Sequence, residues 1–210
     1  MQIIEMLLAR IVLFIDIRQL NPEGLALQPI HQGLLNRYNF TVHPSDSSDF
    51  DFTNGIRYGG GEFEYEGKRI AVYLTIYNNG WLVETLVSTE AAEAFWNDVA
   101  SWVASIGFRS AKEIITQKIY ESQIVVRAEV DLGKSFNSLR SFTKLIAELS
   151  GNPTEQFSGI YISADNSPLS TFTFERRVNT PFSENKYFSR AMLPTSKHLR
   201  ALEEIEKILS

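Results

Sequence analysis

Apolar residues in this chain recur at two different spacings, and the spacing switches in the same order twice. A period of two marks a strand with one buried face, and a period near 3.6 marks a helix with one apolar stripe. Over residues 69–77, Ile70, Val72, Leu74 and Ile76 alternate with Ala71, Tyr73, Thr75 and Tyr77. That alternation predicts a strand with a wholly aliphatic face. Ser88-Thr89 then stands before Ala92, Phe95, Trp96, Val99, Trp102, Val103 and Ile106, with Gly107 beyond them. An N-cap, a wide stripe and a glycine stop predict an amphipathic helix. A chain patterned this way must lay helices on a sheet, which is the α+β class.

The first round opens on residues 10–18, rich in β-branched and aromatic side chains and read as a strand. Leu27, Ile30, Leu34 and Tyr38 follow at helical steps, and residues 41–54 form a polar loop. Residues 55–66 read as an aromatic strand interrupted by Gly59-Gly60-Gly61, and Glu66-Gly67 as a turn. Asn79-Gly80 predicts a type I′ hairpin, which needs positive φ at both central residues. Residues 81–87 return as a strand into the helix capped by Ser88.

The second round has the same order. Residues 122–132 read as a strand, and Ser135 caps a helix with Leu139, Phe142, Ile146 and Leu149 on one face, stopped by Gly151-Asn152-Pro153. Residues 157–164, 169–178 and 187–193 read as strands joined through Asn166-Ser167-Pro168 and Asn179-Thr180-Pro181. Thr195-Ser196 caps a closing helix carrying Leu199, Leu202, Ile205 and Leu209. Both rounds read β-α-β-β-β-α, so residues 1–110 and 111–210 are expected to be diverged copies sharing one sheet and core. The fold expected is a curved antiparallel sheet with helices on one face. That order resembles the tandem layout of the TATA-box-binding-protein fold, with a single helix-grip-like domain as the alternative. The resemblance is one of topology, and topology does not carry function.

Cysteine is absent, which removes disulfides, thiolate metal sites and cysteine nucleophiles and agrees with a cytoplasmic location. The apolar stretch at residues 3–17 is broken by Glu5, Arg10 and Asp16. It falls short of the roughly 20 apolar residues that cross a bilayer. It has neither the basic start nor the cleavage site of a signal, and reads as a buried strand. Residues 1–110 carry 7 Lys+Arg against 13 Asp+Glu, while residues 111–210 carry 13 against 12. An acidic first half argues against broad nucleic-acid binding, which draws its affinity from neutralised phosphates.

Asp46, Asp49 and Asp51, with His43 nearby, are oxygen and imidazole donors in one loop, but their spacing fits no EF-hand. The glycine triplet suits a bulge better than a phosphate cradle, because Glu62, Glu64 and Glu66 follow it. Arg176, Arg177, Lys186 and Arg190 are interleaved with Phe172, Phe174, Phe182, Tyr187 and Phe188. Such a patch can stack single-stranded nucleic acid or can be a hairpin with aromatics inside and charges outside. Asp16 suggests a pair with Arg18, and His31 and His198 read as boundary residues on helices. Zinc-protease, Gly-x-Ser-x-Gly and Walker motifs are all missing. No cofactor, metal or catalytic residue is implied. The expected function is non-catalytic binding of another protein, as an accessory subunit or regulator, through the sheet or the acidic 41–66 region. The alternatives are a small-molecule binder or unfamiliar enzyme with a pocket between sheet and helices, and a nucleic-acid module.

Overall fold

The computed structural model describes residues 1–24, 26–129, 139–151, 157–163 and 170–209. The first round comprises β1 (Gln2–Phe14), α1 (Ile17–Leu20), α2 (Gln28–Tyr38), β2 (Ile56–Tyr65), β3 (Lys68–Tyr77), β4 (Gly80–Thr85) and α3 (Thr89–Ser105). After α4 (Ala111–Ile114) come β5 (Gln117–Arg127), α5 (Arg140–Ser150), β6 (Gly159–Ser163), β7 (Ser170–Arg176), β8 (Lys186–Ala191) and α6 (Thr195–Leu209). The strands form an eight-stranded sheet in the order β2-β3-β4-β1-β5-β8-β7-β6. The β1–β4, β2–β3, β3–β4, β6–β7 and β7–β8 pairings are antiparallel. The architecture is therefore antiparallel α+β, and β-α-β-β-β-α is met twice once the four-residue α1 and α4 are set aside. The chain divides into two compact units, residues 8–122 and residues 1–7 with 123–210.

In the 8–122 unit, Ile11 and Leu13 of β1, Val72, Leu74 and Ile76 of β3, and Trp81 and Val83 of β4 are buried. Their alternation is the period-two pattern of the sequence made physical. Ile30, Leu34 and Tyr38 of α2 and Phe95, Trp96, Val99 and Val103 of α3 complete the same core cluster. Each large side chain taken out of water contributes about 1.5–3 kcal/mol. Ser88 caps α3 as its spacing predicts, its Oγ accepting the Ala91 N–H at 3.0 Å. Helices α2 and α3 approach closely at Gly33, where an added Cβ would stand 2.0 Å from the Trp102 ring. Nearby, the Tyr38 hydroxyl donates to Asp98 at 2.6 Å.

Two local expectations are corrected, and the bulge expected at the glycine triplet is present. The type I′ turn falls at Glu66-Gly67, with φ of 51° and 72°, between the paired Tyr65 and Lys68. The β3–β4 loop is Asn78-Asn79, Gly80 pairs with Tyr77, and none of these loop residues has positive φ. The Asn79 and Asn78 carbonyls accept the N–H groups of Ile15 and Ile17 instead, so this turn is shaped by the chain leaving β1. Gly80 is needed for clearance, since a Cβ there would meet the Leu13 carbonyl oxygen at 2.4 Å. The first strand starts at Gln2 rather than Arg10 and stops at Phe14, because Asp16 caps α1 through the Arg18 N–H. The glycine triplet is a bulge, with the register shifting between Tyr58 and Gly61 and Gly60 at φ 63°.

In the other unit, Ile124, Val126, Phe172, Phe174, Tyr187, Leu202 and Leu209 are the principal buried side chains of a second cluster. Phe174 and Tyr187 stack with centroids 4.6 Å apart. Strand β5 begins at Gln117, ahead of the expected Ser122. Helix α5 stops at Gly151, φ 67°, as expected of a left-handed cap. The expected features at Leu132, Ser135, Asn152-Pro153 and Asn166-Ser167-Pro168 lie outside the described residues.

Candidate functional site

The acidic loop binds itself. Asp46 accepts the Ser48 N–H at 3.1 Å. Asp49 accepts the N–H groups of Ser45 and Asp46 at 2.8 and 3.2 Å. Asp51 accepts the Thr53 N–H at 2.8 Å and the Asn54 amide at 2.7 Å. The Ser45 N–H is the main reason the Asp49 carboxyl is held below its ordinary range, and the Thr53 N–H plays that part for Asp51. Among the described residues no three His, Asp or Glu groups are placed to share a metal ion. These aspartates instead fold the segment that carries Phe50 and Phe52.

The basic residues do not gather. Arg176 pairs across the strands with Tyr187 and lies 4.8 Å over its ring, so both share one face. Lys186 and Arg190 alternate with the buried Tyr187, Ser189 and Ala191 and so belong to the opposite face. Lys186 pairs with Glu184 at 2.6 Å, and the Arg177 N–H donates to the Lys186 carbonyl at 3.0 Å. Phe172, Phe174 and Tyr187 are buried in the core and have no face free for stacking bases.

His198 is fully buried, with its Nε2 2.8 Å from Ser189 Oγ. The Ser189 hydroxyl donates its one proton to the Thr173 carbonyl at 2.8 Å, so the imidazole N–H must donate to Ser189. That polarity is the reverse of a base activating a nucleophile. Burial lowers the His198 pKa to about 4, and the ring is neutral in the folded protein.

Two other features remain. The first is a partly open pocket with about 40 Å³ of free space within the 8–122 unit, lined by aromatic and aliphatic side chains including Ile30, Phe50, Phe52, Tyr58, Ile76 and Trp81. His31 also lines it, with Nδ1 3.1 Å from the Tyr58 hydroxyl and its ring 5.3 Å from that of Phe50. Burial, followed by the charge of nearby His43, lowers the His31 pKa, and burial pushes Tyr58 up to about 12. Both are therefore uncharged at neutral pH. Trp81 is 3% exposed, and its indole Nε1 has no hydrogen-bond partner among the described residues. Sequence reasoning passed over Trp81. The available signal was an indole placed on an otherwise aliphatic strand face, because a buried Trp N–H usually finds an acceptor.

The second feature is the apolar stripe of α5. Phe142, Leu145 and Leu149 are 59%, 48% and 74% exposed. An open groove of about 310 Å³ runs beside them, lined by Phe142, Thr143, Ile146, Phe157 and Gly159. Tyr161 and Ile162, on the edge strand β6 of the same unit, are also exposed.

No family model and no curated protein sequence matches this chain. Among solved structures, Methanococcus jannaschii TBP is similar at 13% identity and a TM-score of 0.44, over 98% of this chain and 96% of that one. No helix among the described residues is long and apolar enough to cross a membrane.

Proposed function

We propose that this protein is a non-catalytic binding protein that docks another polypeptide on α5 and the adjoining groove. The observation that carries the reading is the stripe of Leu139, Phe142, Leu145, Ile146 and Leu149, all five exposed on one helix face. Contiguous exposed apolar side chains beside a groove are characteristic of protein–protein contact surfaces, whereas singly scattered ones are ordinary. The docked partner is expected to lay an apolar helix or strand against this face. In the acidic 41–66 region, Asp46, Asp49 and Asp51 hold the backbone of their own loop. The repeated β-α-β-β-β-α order also supports reading residues 1–110 and 111–210 as descendants of one unit, of which the second kept an open helix face.

Replacing Phe142 and Leu149 with lysine tests the function. The F142K/L149K protein should keep the circular dichroism and melting temperature of the wild type. It should lose a stoichiometric protein partner that the wild type captures in its native host. A wild-type protein recovered alone and monomeric overturns the reading, as does a variant that unfolds.

A further inference from the structure

We infer that His31, Tyr58 and His43 form an acid-sensitive latch, which holds the 43–52 segment and its Phe50 against α2 and lets go when the imidazoles take up protons. The latch lies within residues 8–122, in the other unit from the α5 surface.

The direction of one hydrogen bond sets the latch. Tyr58 is buried, and among the described residues its hydroxyl meets one acceptor, His31 Nδ1 at 3.1 Å. The phenol proton therefore points at Nδ1, and the neutral imidazole keeps its own proton on Nε2. Burial pushes the Tyr58 pKa up to about 12, so the phenol holds its proton throughout the neutral and acid range. A proton arriving at His31 must add to Nδ1, the nitrogen already in use. Nδ1 then becomes a donor, and the buried phenol proton is left without its acceptor.

The charges around the ring act in the same direction. The titratable groups that meet His31 are Tyr58 from β2 and His43 from the loop, whose ring lies 5.9 Å away. Phe50, with its ring 5.3 Å away, is uncharged. His43 is exposed, and its Nδ1 donates to the Pro44 carbonyl at 2.9 Å, which leaves Nε2 to take up a proton from water. A second positive ring beside the first repels it. Asp46, Asp49 and Asp51 turn their carboxylates to the backbone of their own loop. Burial, followed by the charge of His43, holds the His31 pKa below its ordinary 6.5. The latch is therefore complete above pH 6.5 and weakens as the pH falls below that value.

Two anchors bound the part that moves. Val42 and Gly59 exchange backbone hydrogen bonds of 3.0 and 2.8 Å, and the Asn78 N–H donates to the Phe52 carbonyl at 3.1 Å. Between them Phe50 is 39% exposed and meets the His31 ring edge-on at 76°. A charged His31 regains water by turning out from under Phe50, which frees the segment from α2. The Asp49 and Asp51 carboxyls are held below their ordinary range and stay ionised, so the freed segment keeps its own turns.

The test is an NMR titration of the full-length protein from about pH 8 to about pH 5, the range in which histidine charges. His31→Gln and His43→Gln assign the ring signals. The Phe50 ring resonances are expected to shift with the midpoint of His31, below pH 6.5, while the three tryptophan indole signals keep their folded dispersion. Coupling is reciprocal, so Phe50→Ala should let His31 bind its proton about fivefold more tightly, the low end of ordinary coupling between sites. His31→Gln should remove the Phe50 transition. Phe50 signals that stay still while His31 titrates overturn the proposal, as does a His31 midpoint at or above 6.5. So does an indole spectrum that collapses over the same range, because the release would then be unfolding of the unit. These outcomes are read on the wild type, so the test stands even where a variant fails to fold.

Discussion

Helices α2 and α5 hold the same place in the two β-α-β-β-β-α rounds, yet they end in opposite environments. Helix α2 has the untidier pattern, with His31, Gln32 and Gly33 between its apolar positions, and it buries Ile30, Leu34 and Tyr38. Helix α5 has the cleaner stripe, and its apolar side chains are exposed. The difference lies in what stands opposite. Gly33 lets the Trp102 ring of α3 approach α2 to the limit of contact, and the Tyr38–Asp98 hydrogen bond ties the two helices. The described residues give α5 no equivalent of that seat. Amphipathicity states which face of a helix is apolar and does not state what will cover it.

The contrast predicts its own largest effect. Leu34→Ala should destabilise the 8–122 unit by about 2–5 kcal/mol, because it removes buried methyl groups and leaves a void. Leu149→Ala should stay within about 0.5 kcal/mol. All three tryptophans, Trp81, Trp96 and Trp102, lie in residues 8–122. Urea denaturation followed by tryptophan fluorescence therefore reads that unit, and a Leu202 methyl resonance reads the other. A large loss from Leu149→Ala would erase the contrast.

Acid should separate the units as well. The folded pKa of His198 is about 4, below its ordinary 6.5, so the unfolded chain takes up the proton first as the pH falls. The stability this neutral histidine confers is complete above pH 6.5 and is lost progressively between pH 6.5 and about 4, to a total of about 3 kcal/mol. The Leu202 methyl signal should report that loss, and His198→Phe should flatten the pH dependence. A wild-type curve that stays level over this window contradicts the buried neutral imidazole.

The smallest effects come from the two hairpins. Gly67→Ala meets no atom within 4 Å and pays only for positive φ, about 1 kcal/mol. Gly80→Ala drives a Cβ into the Leu13 backbone and should cost more, about 1–3 kcal/mol. Thermal melts of the two variants compare them directly, and the reverse ranking would return the conformational role to Gly80.

Much of the fold was legible in the residues. The strand alternation over 69–77 and the capped stripe of α3 are local properties, enforced by covalent geometry and by the obligation to bury one face. The site was less legible. Asp46, Asp49 and Asp51 looked like ligand donors because a loop sequence does not reveal that its carboxylates will meet their own backbone N–H groups. Ser189 and His198 gave no sign of pairing, since nine residues and a turn separate strand from helix. Trp81 was visible as a residue but not as an orphan, because an unmet donor is defined by what every neighbour fails to supply.

The sequence by itself determined the α+β class, the order of the principal strands and helices, the apolar face of strand β3 and helix α3, and the absence of cysteine chemistry. Those follow from spacing and composition, which act over a few residues. Tertiary structure alone decided that the tidier helix would stay uncovered, that Asn79-Gly80 would yield the type I′ role to Glu66-Gly67, and that an indole N–H would be buried with no hydrogen-bond partner among the described residues. Each of these depends on atoms brought together from distant parts of the chain, where steric clearance and hydrogen-bond satisfaction are settled by close packing rather than by local preference.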